Sequence, residues 1–206
     1  MNLEHATPGT TEWAGTDQVK RQAIPPTTSF LVPSSQGILS GRPKGAELLE
    51  AIMMHMGQAP EHSVTPLDFS NITFMDVSCA DEMLNKLIMR IRSGELEGRY
   101  LTVHGTNASL RETIEAVLQL RDLAALAIED GQAVLLGQLK RPMHEALDVL
   151  LRYKSITSAE MASVLKKNVN IVCNRLNALQ RMGLVCRLRD GSVAGGGRQY
   201  YYVSIL

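Results

Sequence analysis

Between positions 170 and 181 the chain reads NIVCNRLNALQR, and its polar residues recur at helical spacing. On a helix, Val172, Leu176 and Leu179 share one apolar face that must pack against neighbours, and Val169 extends that face one turn back. The opposite face presents Asn170, Asn174, Asn177, Ala178 and Arg181, with Ile171 and Arg175 on its shoulders. A carboxamide pairs bidentately with adenine and a guanidinium with guanine in the major groove. A helix face carrying both groups, with no acid to repel phosphate, therefore has the chemistry to read DNA. Arg187, Arg189 and Arg198 follow on or beside two β-like segments, LVCRLRD and QYYYVSIL, where they would meet phosphates on either side of a groove.

These side chains need a scaffold, and the preceding residues supply one. Pro142 suits the first turn of a helix, PMHEALDVLLRY, because its missing N–H is unpaired there in any case. Thr157 or Ser158 then offers a cap for a second helix, AEMASVLKK, with Glu160 or Met161 in its first turn. Asn168-Val169-Asn170 makes a tight turn into the third helix, about Asn170 to Met182, and Gly183 ends that helix as a left-handed cap. The two β-like segments are joined by GSVAGGGR, a long glycine-rich turn with a basic end at Arg198. In them Leu184, Leu188 and alternate tyrosines are placed to face the core. The GGG run lacks the strand-loop-helix setting of a phosphate-cradling loop.

Taken together, ITSAEMASVLKKNVNIVCNRLNALQRMGLVCRLRDGSVAGGGRQYYYVSIL resembles the winged helix-turn-helix family of bacterial transcription regulators over residues 140–206. The resemblance implies duplex DNA as the partner, read by Asn170, Ile171, Asn174, Arg175, Asn177, Arg181, Arg187, Arg189 and Arg198. It also implies a homodimer, because one short recognition helix reads few base pairs and two half-sites multiply specificity. Charge points the same way. Residues 140–206 carry 11 Lys and Arg against 4 Asp and Glu, whereas residues 1–139 carry 10 against 17, so a net charge of zero hides a basic module attached to an acidic one. The alternative is an adaptor of a partner-switching pathway that binds proteins and not DNA, since winged helices also serve as protein-docking modules.

Residues 1–28, rich in Thr, Gly and Pro without apolar periodicity, read as a flexible tail, and Trp13 as an unanchored aromatic within it. From residue 29 to 139, short β-like segments (SFLVP, SVTPLDF, RYLTVHG) alternate with helical ones (GAELLEAIMMHM, SCADEMLNKLIMRI, LRETIEAVLQLRDL). AALAIED and AVLLGQ, joined at Gly131-Gln132, add a closing pair of strands, and the alternation predicts an α/β domain. Within it LDFSNITFMDVSCADEMLNKLI, residues 67–88, resembles the STAS (anti-sigma-factor-antagonist) family and its bacterial STAS-like relatives. That resemblance places Ser78 where partner-switching members carry a phosphorylatable hydroxyl at a helix N-terminus, although Val77 and Cys79 stand where the family has Ser and Gly. Two readings of Ser78 follow: a regulatory phosphosite, or, preferred here, an ordinary N-cap of a helix beginning at Cys79. The expected fold is thus an α/β (α+β) STAS-like N-terminal domain, mediating dimerisation or binding a signal or protein partner, followed by a winged helix-turn-helix domain.

Catalytic patterns do not emerge. HExxH, GxSxG and GxxxxGK[ST] are all missing, and the five histidines are scattered. His104, after RYLTV, reads as structural without an acid or nucleophile beside it. Cys79, flanked by Asp76, Asp81 and Glu82, reads as an inert buried thiol, and Cys173 and Cys186 lack further ligands for a metal. The expectation is a protein that is not an enzyme and needs no cofactor or metal. With no run of about 20 apolar residues and no signal-like leader, it is expected to be cytoplasmic and to leave membranes alone.

Overall fold

SVTPLD, RYLTVH and AALAIE carry apolar residues at both odd and even positions, so each segment has apolar groups on both faces, and such strands are stable only when both faces are covered. The computed structural model of the chain describes residues 24–189 and 200–206. In chain order its first part forms β1 (Phe30–Leu31), β2 (Ile38–Leu39), α1 (Arg42–Gln58), β3 (Ser63–Asp68) and β4 (Phe74–Met75). Next come α2 (Val77–Ala80), which runs through a π-helical stretch (Asp81–Asn85) into α3 (Lys86–Ser93), then β5 (Arg99–His104), α4 (Ala108–Gln119), β6 (Ala124–Glu129) and β7 (Gln132–Gly137). A five-stranded sheet has the order β1-β3-β5-β6-β7, parallel except for the final pair. Asp130 and Gly131, both at positive φ, form the two-residue turn between β6 and β7, so Gln132 is already in the strand and not part of the connection.

The remainder comprises α5 (Arg141–Tyr153), β8 (Ser155–Thr157), α6 (Ser158–Leu165), α7 (Val169–Arg181), β9 (Val185–Arg189) and β10 (Tyr200–Ser204). The last strands form an antiparallel sheet of order β8-β10-β9. β8 is an addition to what periodicity shows. At three residues, all buried, Ser155–Thr157 is too short to reveal a period and exists because β10 offers it a partner, Ile156 opposite Tyr202.

The five-stranded sheet divides its side chains between two cores. Leu67, Leu101, Val103, Ala125, Ala127 and Leu136 point to the face covered by α1, α3 and α4. Val64, Tyr100, Ala124 and Leu126 point the other way and join one continuous cluster with Leu147, Leu150, Leu176, Leu179 and Tyr202 of the C-terminal elements. The C-terminal unit is therefore the second cover of the sheet.

Residues 24–28, which composition places in the tail, lie along β3 instead. Thr27 N donates to Val64 O at 2.8 Å, Val64 N donates to Pro25 O at 3.2 Å, and Ile24 packs on the second core. β3 extends beyond two-residue β1 and leaves an unpaired edge there, which an extended Pro-Pro segment can satisfy.

Because β3, β5 and β6 serve both cores, the chain should unfold in one transition. Leu126→Ala, at a site 1% exposed, is expected to cost about 2–4 kcal/mol and to shift hydrogen exchange of Val103 and Leu179 amides together with the far-UV dichroism midpoint. Two separated transitions would contradict the shared core.

Candidate nucleic-acid interface

Local hydrogen bonds frame the unit that presents α7. Thr157 caps α6 in a reciprocal box: Glu160 N donates to Thr157 Oγ1 at 3.2 Å, and Thr157 N donates to Glu160 Oε2 at 2.7 Å. Lys166, in the left-handed region, ends α6. Asn168 then caps α7 by accepting from Asn170 N at 2.8 Å, so the helix begins at Val169, a residue earlier than its apolar spacing indicates. At the far end Gly183 N donates to Gln180 O and Leu184 N to Leu179 O, a Schellman closure with Gly183 at φ +75. A Cβ at Gly183 would also lie 3.0 Å from Ile91 Cγ2 of α3, so this glycine seats the helix against the α/β half.

Val172, Leu176 and Leu179 are fully buried, which turns Asn170, Ile171 and Asn174 to solvent. Val169 does not extend the buried face; it is 43% exposed, one turn ahead of the first residue that reaches the core. Residues 158–181 contain a single carboxylate, Glu160, and it is engaged in the α6 cap. Lys166 and Lys167 are exposed in the turn beside the start of α7.

The other expected contact residues divide. Arg175 is drawn inward: its side chain is 15% exposed and Nη1 donates to Glu145 Oε2 of α5 at 3.4 Å. Asn177 Oδ1 accepts from Tyr202 Oη at 2.9 Å and from Arg187 Nη1 at 3.4 Å. Burial holds the Tyr202 phenol above its ordinary pKa, which keeps the O–H donor in place. Arg187 lies 4.7 Å over the Tyr200 ring. Arg181 is exposed but sits at the opposite end of α7, lining a cavity of about 190 Å³ with Arg92, Glu97 and Arg99. Arg189 is exposed at the end of β9, and Arg198 lies outside the described residues. Spacing alone could not reveal that Glu145 and Tyr202, on separate elements, would claim Arg175 and Asn177.

In the α/β half the N-cap is Asp76 and not Ser78. Asp76 Oδ1 accepts from Cys79 N at 2.7 Å, while Oδ2 accepts from Ser40 Oγ at 2.6 Å and Gly41 N at 2.8 Å. Asp76 wins because its carboxylate closes the turn and ties the start of α1 to that of α2, leaving Ser78 exposed within the first turn. The Ser40 hydrogen bond, followed by those from the backbone, holds the Asp76 carboxyl below its usual range. Cys79 is buried, and burial, with the Asp76 charge adding to it, pushes its thiol up to about 11. Cys186 is buried 3.5 Å from His62 Nδ1, and its thiol is likewise raised by burial. His104 Nε2 is 2.9 Å from Thr102 Oγ1, and burial lowers the imidazole pKa. At the carboxyl ends of β5 and β6 a cavity of about 620 Å³ is lined by Asn107, Glu112 and Arg111, whose guanidinium already pairs with Glu115 and Glu129. Among the described residues no group of three or more His, Cys, Asp and Glu is placed to hold a metal ion, and no helix is long and apolar enough to cross a membrane.

No protein-family model matches this chain, and no curated protein matches it either.

Two outcomes follow from this geometry. In urea melts Arg175→Ala should lose about 1 kcal/mol, by losing the Glu145 pair and the packing of its stem, while Asn174→Ala should stay within about 0.5 kcal/mol of wild type. Equal losses would show that Arg175 is not a structural residue. Asp76→Ala should cost about 1 kcal/mol at neutral pH through the lost cap. Because the folded carboxyl titrates below the ordinary value of 3.8, its charge-dependent contribution is complete above that value and fades as pH falls through the folded pKa. The gap between variant and wild type should therefore narrow on acidification, and a gap independent of pH would leave the charge without a role.

Proposed function

We propose that residues 140–206 form a winged helix that binds duplex DNA, and that the protein is a cytoplasmic transcription regulator acting as a homodimer. The observation that carries this reading is the surface of α7. Asn170, Ile171 and Asn174 face solvent on a helix whose opposite side is pinned by three buried residues, no unengaged carboxylate intervenes between residues 158 and 181, and Lys166 and Lys167 flank the entry. A rigid helix presenting hydrogen-bonding and apolar groups beside cations suits insertion in a major groove, with lysines and Arg189 meeting phosphates. Arg175, Asn177 and Arg187 serve in this reading to hold the helix and strands, and not to touch bases.

The α/β half, read as STAS-like, supplies the dimer contact or receives a partner. Supporting a partner-binding role, Ile38 and Phe74 are paired across β2 and β4 and are 53% and 46% exposed, with Val77 at 52% following Asp76 and preceding the exposed Ser78.

Binding of the full chain to a mixed-sequence duplex, measured across a salt series, tests the reading. Affinity should fall steeply with salt, and the double variant Lys166→Ala/Lys167→Ala should lower the slope of log K against log salt by about two. Binding that is absent or indifferent to salt would remove the DNA reading and leave protein docking as the role of the unit.

A further inference from the structure

We infer that the exposed face of α7 selects A·T base pairs, an inference that rests on the reading above that this helix enters the major groove. Each base offers a distinct edge there. Adenine presents one acceptor and one donor, which a carboxamide matches; thymine presents a methyl group, which an aliphatic side chain matches. Guanine presents two acceptors, which call for a guanidinium or an ammonium, and cytosine presents a donor, which calls for a carboxylate.

The solvent-facing start of α7 carries Asn170, Ile171 and Asn174. Asn170 and Asn174 are four residues apart, about 6 Å along the axis, so they address neighbouring or next-neighbouring base pairs spaced about 3.4 Å apart. Ile171, 48% exposed, stands beside them without an apolar partner in the core. It is placed to cover the methyl of a thymine in the same short run.

The arginines that could read guanine are engaged by other side chains or placed away from the start of α7. Arg175 is held by Glu145, Arg187 lies over Tyr200 and donates to Asn177, and Arg181 is at the other end of the helix against the connection from α3 to β5. No carboxylate occurs in α7. The side chains that α7 itself exposes at its start match adenine and thymine, with Lys166 and Lys167 in the preceding turn placed at phosphates, and the ion pair that holds Arg175 leaves the face so equipped.

The experiment is selection of full-length protein on a randomised duplex pool, followed by affinity measurements on the selected site. The expected half-site has two or three adjacent A·T pairs. Asn174→Ala should weaken binding to it roughly 5- to 100-fold and relax the preference at one position, with the salt slope unchanged. Replacing the core thymines by deoxyuridine, which removes only the methyl, should weaken wild type and leave Ile171→Ala unaffected. The deoxyuridine arm alters no residue and so stands even if a variant folds poorly. A G·C core, or an A·T core indifferent to both Asn174→Ala and deoxyuridine, overturns the inference while DNA binding itself survives. Failure of any salt-dependent duplex binding overturns both.

Discussion

A parallel sheet has no face that water can solvate cheaply, and in this chain the second cover comes from the C-terminal elements. Val64, Tyr100, Ala124 and Leu126 stand on one side of β3, β5 and β6, and they are buried only because α5, α7 and the β9–β10 pair lie on them. The position of α7 is thereby tied to the sheet. Its C-terminal closure at Gly183 fits tightly against Ile91, where a Cβ would stand 3.0 Å from Cγ2, and the small side chains of Ala124 and Ala125 line the same seam with Leu184. Orientation of the exposed helix face is thus a property of the whole chain and not of the last 67 residues alone.

The same economy governs the polar residues of the C-terminal unit. A short helix exposed on one side needs more than three apolar contacts to hold its angle, and the surplus comes from side chains that spacing would assign to recognition. Arg175 anchors α7 to α5 through Glu145, and Asn177 anchors it to β10 through Tyr202. Each removes one group from the surface and fixes the three that remain. Binding surfaces benefit from this arrangement, because side chains on rigid elements lose less freedom when they engage a ligand.

In the α/β half Asp76 has a comparable organising role. One carboxylate joins the residues before α1 to the first turn of α2, and the two helices then approach closely enough that a Cβ on Gly45 would stand 2.7 Å from Cys79 O and from Glu82 Cβ. Beyond this tight contact the helix loosens into the π-helical stretch, where Asn85 donates to Asp81 Oδ1 and to Val117 O of α4. The exposed Ile38, Phe74 and Val77 lie next to this rigid node, so any partner that covers them would meet an ordered surface.

What the sequence determined by itself is legible at short range: the short apolar runs that become β3, β5 and β6, the 3–4 spacing that buries Val172, Leu176 and Leu179, a hydroxyl cap for α6 at Thr157 or Ser158, of which the structure uses Thr157, the glycine that closes α7, and the basic excess of residues 140–206. Apart from the charge balance, which is composition, those signals rest on backbone geometry, local hydrogen bonds and the spacing of apolar groups, all of which act between near neighbours in the chain. Tertiary structure alone decided that residues 24–28 would pair with an open edge of β3, that Ser155–Thr157 would become a strand, that Asp76 would outcompete Ser78 for the cap, and that Arg175 would face inward. In each case the deciding partner is distant in sequence: Glu145 is 30 residues from Arg175, Ser40 is 36 from Asp76, Val64 is 39 from Pro25, and Tyr202 is 46 from Ile156. A hydrogen bond or ion pair formed at that separation leaves no period to read, because it exists only after the cores have brought its two ends together.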